Sequence, residues 1–298
     1  MDSTLTNKTV SLVLGSGGAR GLAHIGIIEW LQAHDYEIKS IAGSSMGALV
    51  GGIYAAGKLD VYSNWVQALQ RTDVLRLLDL SFRSGGLFKG ERVINVLKEL
   101  IGDFQIEELP ISYTAVATDL DSGKEVWLSK GPLFDAIRAS IAIPTILTPH
   151  TIDGRLLVDG GLVNPVPIAP TLHDVTDVTI AVNLSGIPDP TLLEPENKAP
   201  TSTQGVYQRR VQEFVELLQS KVSLGTSDDN LGLLEVITRS FETMQATVAR
   251  LKLAAHFADA VITIPRNSCR FFEFYRASEM IEFGREKAEE VIGKGVTE

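Results

Sequence analysis

Short apolar runs alternate with amphipathic stretches along most of the chain. The runs at residues 10–14, 38–42, 112–118, 125–129, 155–158, 178–183 and 260–264 are bounded by glycine or polar residues and read as strands. Between them, residues 22–32, 48–56, 61–70, 92–101 and 132–139 repeat apolar positions at helical spacing. Strand and helix in alternation predict an α/β fold, a three-layer α/β/α sandwich on a mainly parallel central sheet. Beyond residue 184 the pattern changes. Residues 186–203 hold four prolines and read as a long loop. Residues 207–224 and 231–257 read as helices, with Ser227 and Asp228 as N-cap candidates between them. Val211, Phe214, Val215 and Leu218 form a stripe expected to pack on the core, with a second subunit or a membrane as the alternatives. The chain of 298 residues is expected to form one domain over 1–298, a core of about residues 8–185 with a helical part of about 205–298 packed on it.

Composition narrows the partners. The net charge of −10 argues against nucleic acid and against strong attraction to anionic lipid. A lipid would have to be met by apolar surface or a local basic patch. Residues 74–89, with Arg76, Arg83 and Lys89 among bulky apolar side chains, read either as a lid or acyl-chain wall or as a buried helix and loop. Cys269 is the one cysteine, which excludes an internal disulfide and suits a reducing, cytoplasmic setting. The first eight residues are polar, and no apolar stretch is long enough to span a bilayer. The run Asp119-Leu120-Asp121-Ser122-Gly123 is too short a match to a calcium loop. Neither a metal nor a cofactor is implied.

Three glycine-bearing junctions carry the chemistry. In Gly43-Ser44-Ser45-Met46-Gly47, only Ser45 has glycine two residues away on both sides, the spacing of a nucleophile elbow between strand and helix. The plain alternative is a helix N-cap serine. Leu14-Gly15-Ser16-Gly17-Gly18-Ala19-Arg20-Gly21 also joins a strand to a helix. Its backbone N–H groups can converge on an anion. The dinucleotide fingerprint fails because Arg20 stands where the third glycine belongs, and no Gly-Lys-Ser/Thr follows for a Walker loop. An oxyanion site is the favoured reading. In Leu156-Leu157-Val158-Asp159-Gly160-Gly161, an aspartate ends a strand, where open α/β sheets build their sites. A plain Asp-Gly turn is the alternative, but Asn164-Pro165 follows rather than a second alternating strand.

Together these junctions resemble the patatin-like phospholipases, in particular the small bacterial single-domain members. Ser140-Ile141-Ala142-Ile143-Pro144 and Ala117-Thr118-Asp119-Leu120 are similar to two further blocks of that family, and the likeness covers about residues 8–185. The resemblance implies a Ser–Asp dyad, with Ser45 as nucleophile and Asp159 as general base. It implies an oxyanion hole at Gly17 and Gly18, with Arg20 ordering the loop. Gly15, Gly21, Gly43, Gly47, Gly160 and Gly161 would support these motifs. A histidine triad is the competing arrangement, and His173 and His256 follow Asp159 in the required order. His173 sits in a polar loop, His256 in a helical run and His24 inside the first helix, so all three read as structural or solvated. The implied activity is lipid acyl-ester hydrolysis through an acyl-serine, with no cofactor. An acyltransferase using the same intermediate and a non-catalytic lipid-binding module are the alternatives. The partners left open are a lipid or ester substrate, transient peripheral contact with a membrane, and a homo-oligomer.

Overall fold

The computed structural model describes residues 8–77, 86–192 and 233–293. Its strands are β1 (Lys8–Leu14), β2 (Tyr36–Ser44), β3 (Gly86–Phe88), β4 (Ser112–Asp119), β5 (Glu125–Leu128), β6 (Thr145–Leu147), β7 (His150–Ile152), β8 (Arg155–Asp159), β9 (Val178–Gly186) and β10 (Ala260–Pro265). Its helices are α1 (Ala23–Ala33), α2 (Met46–Ala55), α3 (Leu59–Gln67), α4 (Arg71–Leu77), α5 (Glu91–Ile101), α6 (Leu133–Ser140), α7 (Leu233–Ala255) and α8 (Ala277–Ala288).

The main sheet runs β10-β9-β1-β2-β4-β8-β7, with β5 also paired to β4. From β10 to β4 every pairing is parallel, whereas β5, β7 and β8 are antiparallel additions. Leu12 and Leu14 of β1 face a large cluster with Ile180, Val182 and residues of α1, α2 and α8. The intervening Val13 faces the other way, onto Ala181 and Ala249 of α7. With both faces covered, the central strands read as unbroken apolar runs rather than alternating ones. The expected three-layer architecture is present.

The differences lie in short or weakly apolar elements. The strands β3, β6 and β7 are three residues each, and β3 and β6 form a separate two-stranded sheet. The helix α8 packs closely on α1 and lies in a segment the apolar pattern leaves unassigned. The expected helix at 207–224 lies outside the described residues, as do 78–85 of the basic-apolar segment and 193–203 of the long loop.

Candidate active site

Ser45 occupies the bend between β2 and α2, with φ 56° and ψ −120°. A non-glycine residue is rarely held there, and such conformations cluster at functional sites. The turn is tight because β1 crowds it: a β-carbon on Gly47 would lie 2.0 Å from the Leu14 carbonyl oxygen. Ser45 N–H donates to Ser140 Oγ at 2.9 Å, and that hydroxyl donates to the Val116 carbonyl at 2.6 Å. The bend is thereby fastened to α6 and β4.

Asp159 reaches the same place by strand register. Ser44 pairs with Val116, and the next residue, Ala117, pairs with Asp159. As expected, Asp159 ends its strand; β8 is antiparallel to β4 and descends until Asp159 is level with the carboxyl end of β2. Thr118 Oγ1 donates to the Asp159 carbonyl, and Asp159 N–H donates to the Ala142 carbonyl, both at 2.9 Å. Ser45 Oγ donates to Asp159 Oδ2 at 2.6 Å, and Gly161 N–H donates to Oδ1 at 2.7 Å. Asp159 is wholly buried. Burial pushes its pKa up to about 7, while the hydrogen bonds from Ser45 and Gly161 pull the other way. A carboxyl group that titrates near neutrality beside a serine hydroxyl can act as a general base.

The glycine loop closes the site from β1. Gly15 N–H donates to Val182, Ser16 N–H to Pro165 and Ala19 N–H to Phe271, all to carbonyls. Between these ties, the N–H groups of Gly17 and Gly18 have no hydrogen-bond partner among the described residues. Gly18 has φ +56°, and Phe271 fills the space a side chain would need. Arg20 is buried beneath the loop. Its Nε donates to the Leu184 carbonyl, its Nη1 to the Arg266 and Cys269 carbonyls, and its Nη2 pairs with Glu242 at 2.8 Å. Ser16 Oγ accepts from Gln245 Nε2 at 2.8 Å. The turn after Asp159 meets this loop, since a β-carbon on Gly161 would lie 2.6 Å from Ser16 Oγ. Ser140, Glu242, Gln245 and Phe271 received no role from the sequence, because each touches the site through a contact distant along the chain.

No histidine bonds Ser45 or Asp159 among the described residues. His24 is buried with Nε2 at 2.8 Å from the Gly15 carbonyl. Burial holds its pKa down at about 4, so the neutral ring donates through Nε2 and steadies the loop. His173 is exposed and His256 half-buried. The Cys269 thiol is buried and pushed up to about 12, which keeps it protonated. Among the described residues there is no cluster of metal-ligating side chains, and no helix is long and apolar enough to cross a membrane.

An apolar cavity of about 260 Å³ adjoins these groups, lined by Ile143, Ile146, Leu162, Phe241, Met244 and Phe271 among others. Leu162 directly follows Gly161, and Phe271 abuts Gly18, so two residues of the cavity wall neighbour the site, although Ser45 and Asp159 do not line it. Its wall includes Thr145 and Ile146 of β6, which is paired to β3 at the end of the basic-apolar segment.

A strained serine hydrogen-bonded to a buried carboxyl group beside a glycine loop makes a candidate serine–aspartate site on an α/β sandwich. The sequence profile described as patatin-like phospholipase matches residues 12–172. An uncharacterised NTE-family protein of Mycobacterium tuberculosis is 39% identical over an alignment 331 positions long, covering 96% of this chain and 92% of its own. The lysophospholipase NTE1 of Yarrowia lipolytica is 31% identical over 195 residues, 63% of this chain and 13% of that protein. Among solved structures, VipD from Legionella pneumophila aligns with a TM-score of 0.46 at 11% identity, over 95% of this chain and 66% of that one. The chain belongs to the patatin-like phospholipase family.

Proposed function

We propose that this protein is a serine acyl-ester hydrolase of lipid substrates, working through a Ser45–Asp159 dyad and an acyl-enzyme. The observation that carries the reading is the 2.6 Å bond from Ser45 Oγ to a buried Asp159 carboxyl group. In its ionised form, which prevails above pH about 7, Asp159 takes the serine proton as Oγ attacks the ester carbonyl carbon. The tetrahedral oxyanion falls to the free N–H groups of Gly17 and Gly18. Collapse breaks the ester C–O bond, and protonated Asp159 returns its proton to the departing alcohol. Asp159 then deprotonates a water as it attacks the acyl-Ser45 carbonyl; the bond from Ser45 Oγ to the acyl carbon breaks, Asp159 returns its proton to Ser45 Oγ, and the fatty acid leaves. The apolar cavity gives the acyl chain a seat. Met244 and Val236 on its lining are about half exposed and would meet the lipid surface. Family membership and the lysophospholipase among the relatives favour a phospholipid, lysophospholipid or glyceride over a small polar ester.

Exposure of the protein to a fluorophosphonate, with peptide mass spectrometry to locate the adduct, tests this reading. An adduct on Ser45 that is lost in Asp159→Asn is the expected result. Absence of labelling in a folded protein shown to bind lipid would move the function to lipid binding without turnover.

A further inference from the structure

We propose that α7 positions the oxyanion loop, through Gln245 on Ser16 and Glu242 on Arg20. The inference rests on the hydrolase reading above and goes beyond it, since both residues lie outside the region matched by the family profile, residues 12–172.

The loop's working part is short. Gly17 and Gly18 carry the N–H groups that have no partner among the described residues, and Ser16 and Arg20 lie on either side of them in sequence. Side chains of α7 hold both flanks. Gln245 and Ser16 are 1% and 2% exposed, and their 2.8 Å bond is shielded from water. Arg20 is 1% exposed, and its other partners are neutral carbonyls of Leu184, Arg266 and Cys269. Among the described residues, Glu242 is the carboxylate that pairs with its charge. Positions 242 and 245 are three apart in a continuous helix, hence on one face of it.

The backbone bonds of Gly15, Ser16 and Ala19 fix where the loop runs. They do not fix how the Gly17 and Gly18 peptides are turned, because glycine leaves those torsions soft. Side-chain ties on either side restrict that rotation. An oxyanion hole depends on donors already aimed at the developing charge, so loosening the ties lowers the chemical rate more than it lowers binding. Phe241 and Met244 of α7 also line the apolar cavity. One helix therefore carries both the wall of the acyl seat and the braces of the oxyanion loop.

The test is steady-state hydrolysis of p-nitrophenyl butyrate, with fluorophosphonate labelling in parallel, by wild type, Ser16→Ala, Gln245→Leu and the double variant. Each single variant is expected to lose about 10- to 100-fold in kcat, with KM held. The double variant is expected to lose no more than the worse single variant, because the two changes remove one shared contact. Glu242→Gln, which keeps the shape and drops the charge, is expected to lower kcat less than Glu242→Ala. Folded single variants with unchanged kcat, a change confined to KM, or fully additive losses in the double variant would overturn the proposal. Should Gln245→Leu fail to fold, Gln245→Met takes its place in the same comparison. A wild type that neither turns over the ester nor labels at Ser45 is a different result, since it removes the hydrolase reading itself.

Discussion

The strained backbone of Ser45 needs a partner for its N–H where water does not reach. Ser140 Oγ accepts from it and its hydroxyl in turn donates a hydrogen bond to the Val116 carbonyl, with all three groups buried. Ser140→Ala leaves a donor and an acceptor unpaired, at a cost of about 1–3 kcal/mol. It also frees Ser45 to relax from φ 56°. We therefore expect a lower melting temperature together with slower fluorophosphonate labelling of Ser45. Slower labelling at unchanged stability, or the reverse, would separate the two effects and disprove the common cause. Ser45 stood out in the sequence by the glycine spacing of a tight turn and Asp159 by its place at a strand end, while their pairing was implied by the family resemblance. Gln245 was not legible. It bonds a residue 229 positions away, and a glutamine on a helix otherwise reads as solvent-facing.

At the scale of elements, the same contrast separates what periodicity reveals from what it hides. The strands β1, β2, β4 and β9 are buried on both faces and stood out as apolar runs. The helix α8 did not, because its buried stripe is Ala277, Met280, Ile281, Gly284 and Ala288, three of these five being small residues. Those small residues are what its packing requires. A β-carbon on Gly26 of α1 would lie 1.8 Å from the Ile281 carbonyl oxygen, and one on Gly284 would lie 2.1 Å from that of Ala23. Gly26→Ala would stabilise an isolated helix by about 1 kcal/mol. Here it forces α1 and α8 apart, and we expect a net loss of about 1–3 kcal/mol, as for other overpacked sites. The denaturant midpoint should fall with the slope of unfolding unchanged. A midpoint that rises would mean the two helices are not in such close contact. The strands β3, β6 and β7 were hidden for a different reason: three residues are too few to display a period.

For the whole molecule, the site sets a pH-dependent load on stability, and its sign can be worked out. Asp159 is raised from 3.8 to about 7 by folding. Between those values the folded chain keeps a proton that the unfolded chain has lost, so stability falls as pH rises, and above about 7 the loss is complete. Each unit is worth about 1.4 kcal/mol, giving an upper limit on the order of 4 kcal/mol. His24 works in the opposite direction. It is lowered from 6.5 to about 4, so the unfolded chain takes a proton that the folded chain refuses, and stability falls as pH drops through that range. The two slopes oppose each other over nearly the same interval. Asp159→Asn removes the first and leaves the second. The stability difference between variant and wild type, from urea midpoints at pH about 4 to 8, should therefore be near zero at the acid end, grow with pH and level off above about 7. A difference that does not vary with pH would mean that Asp159 titrates at its unfolded value, and its role as a base poised near neutrality would go with it. If the gain appears while Ser45 labelling disappears, the same desolvated carboxyl group accounts for both the reactivity and the lost stability.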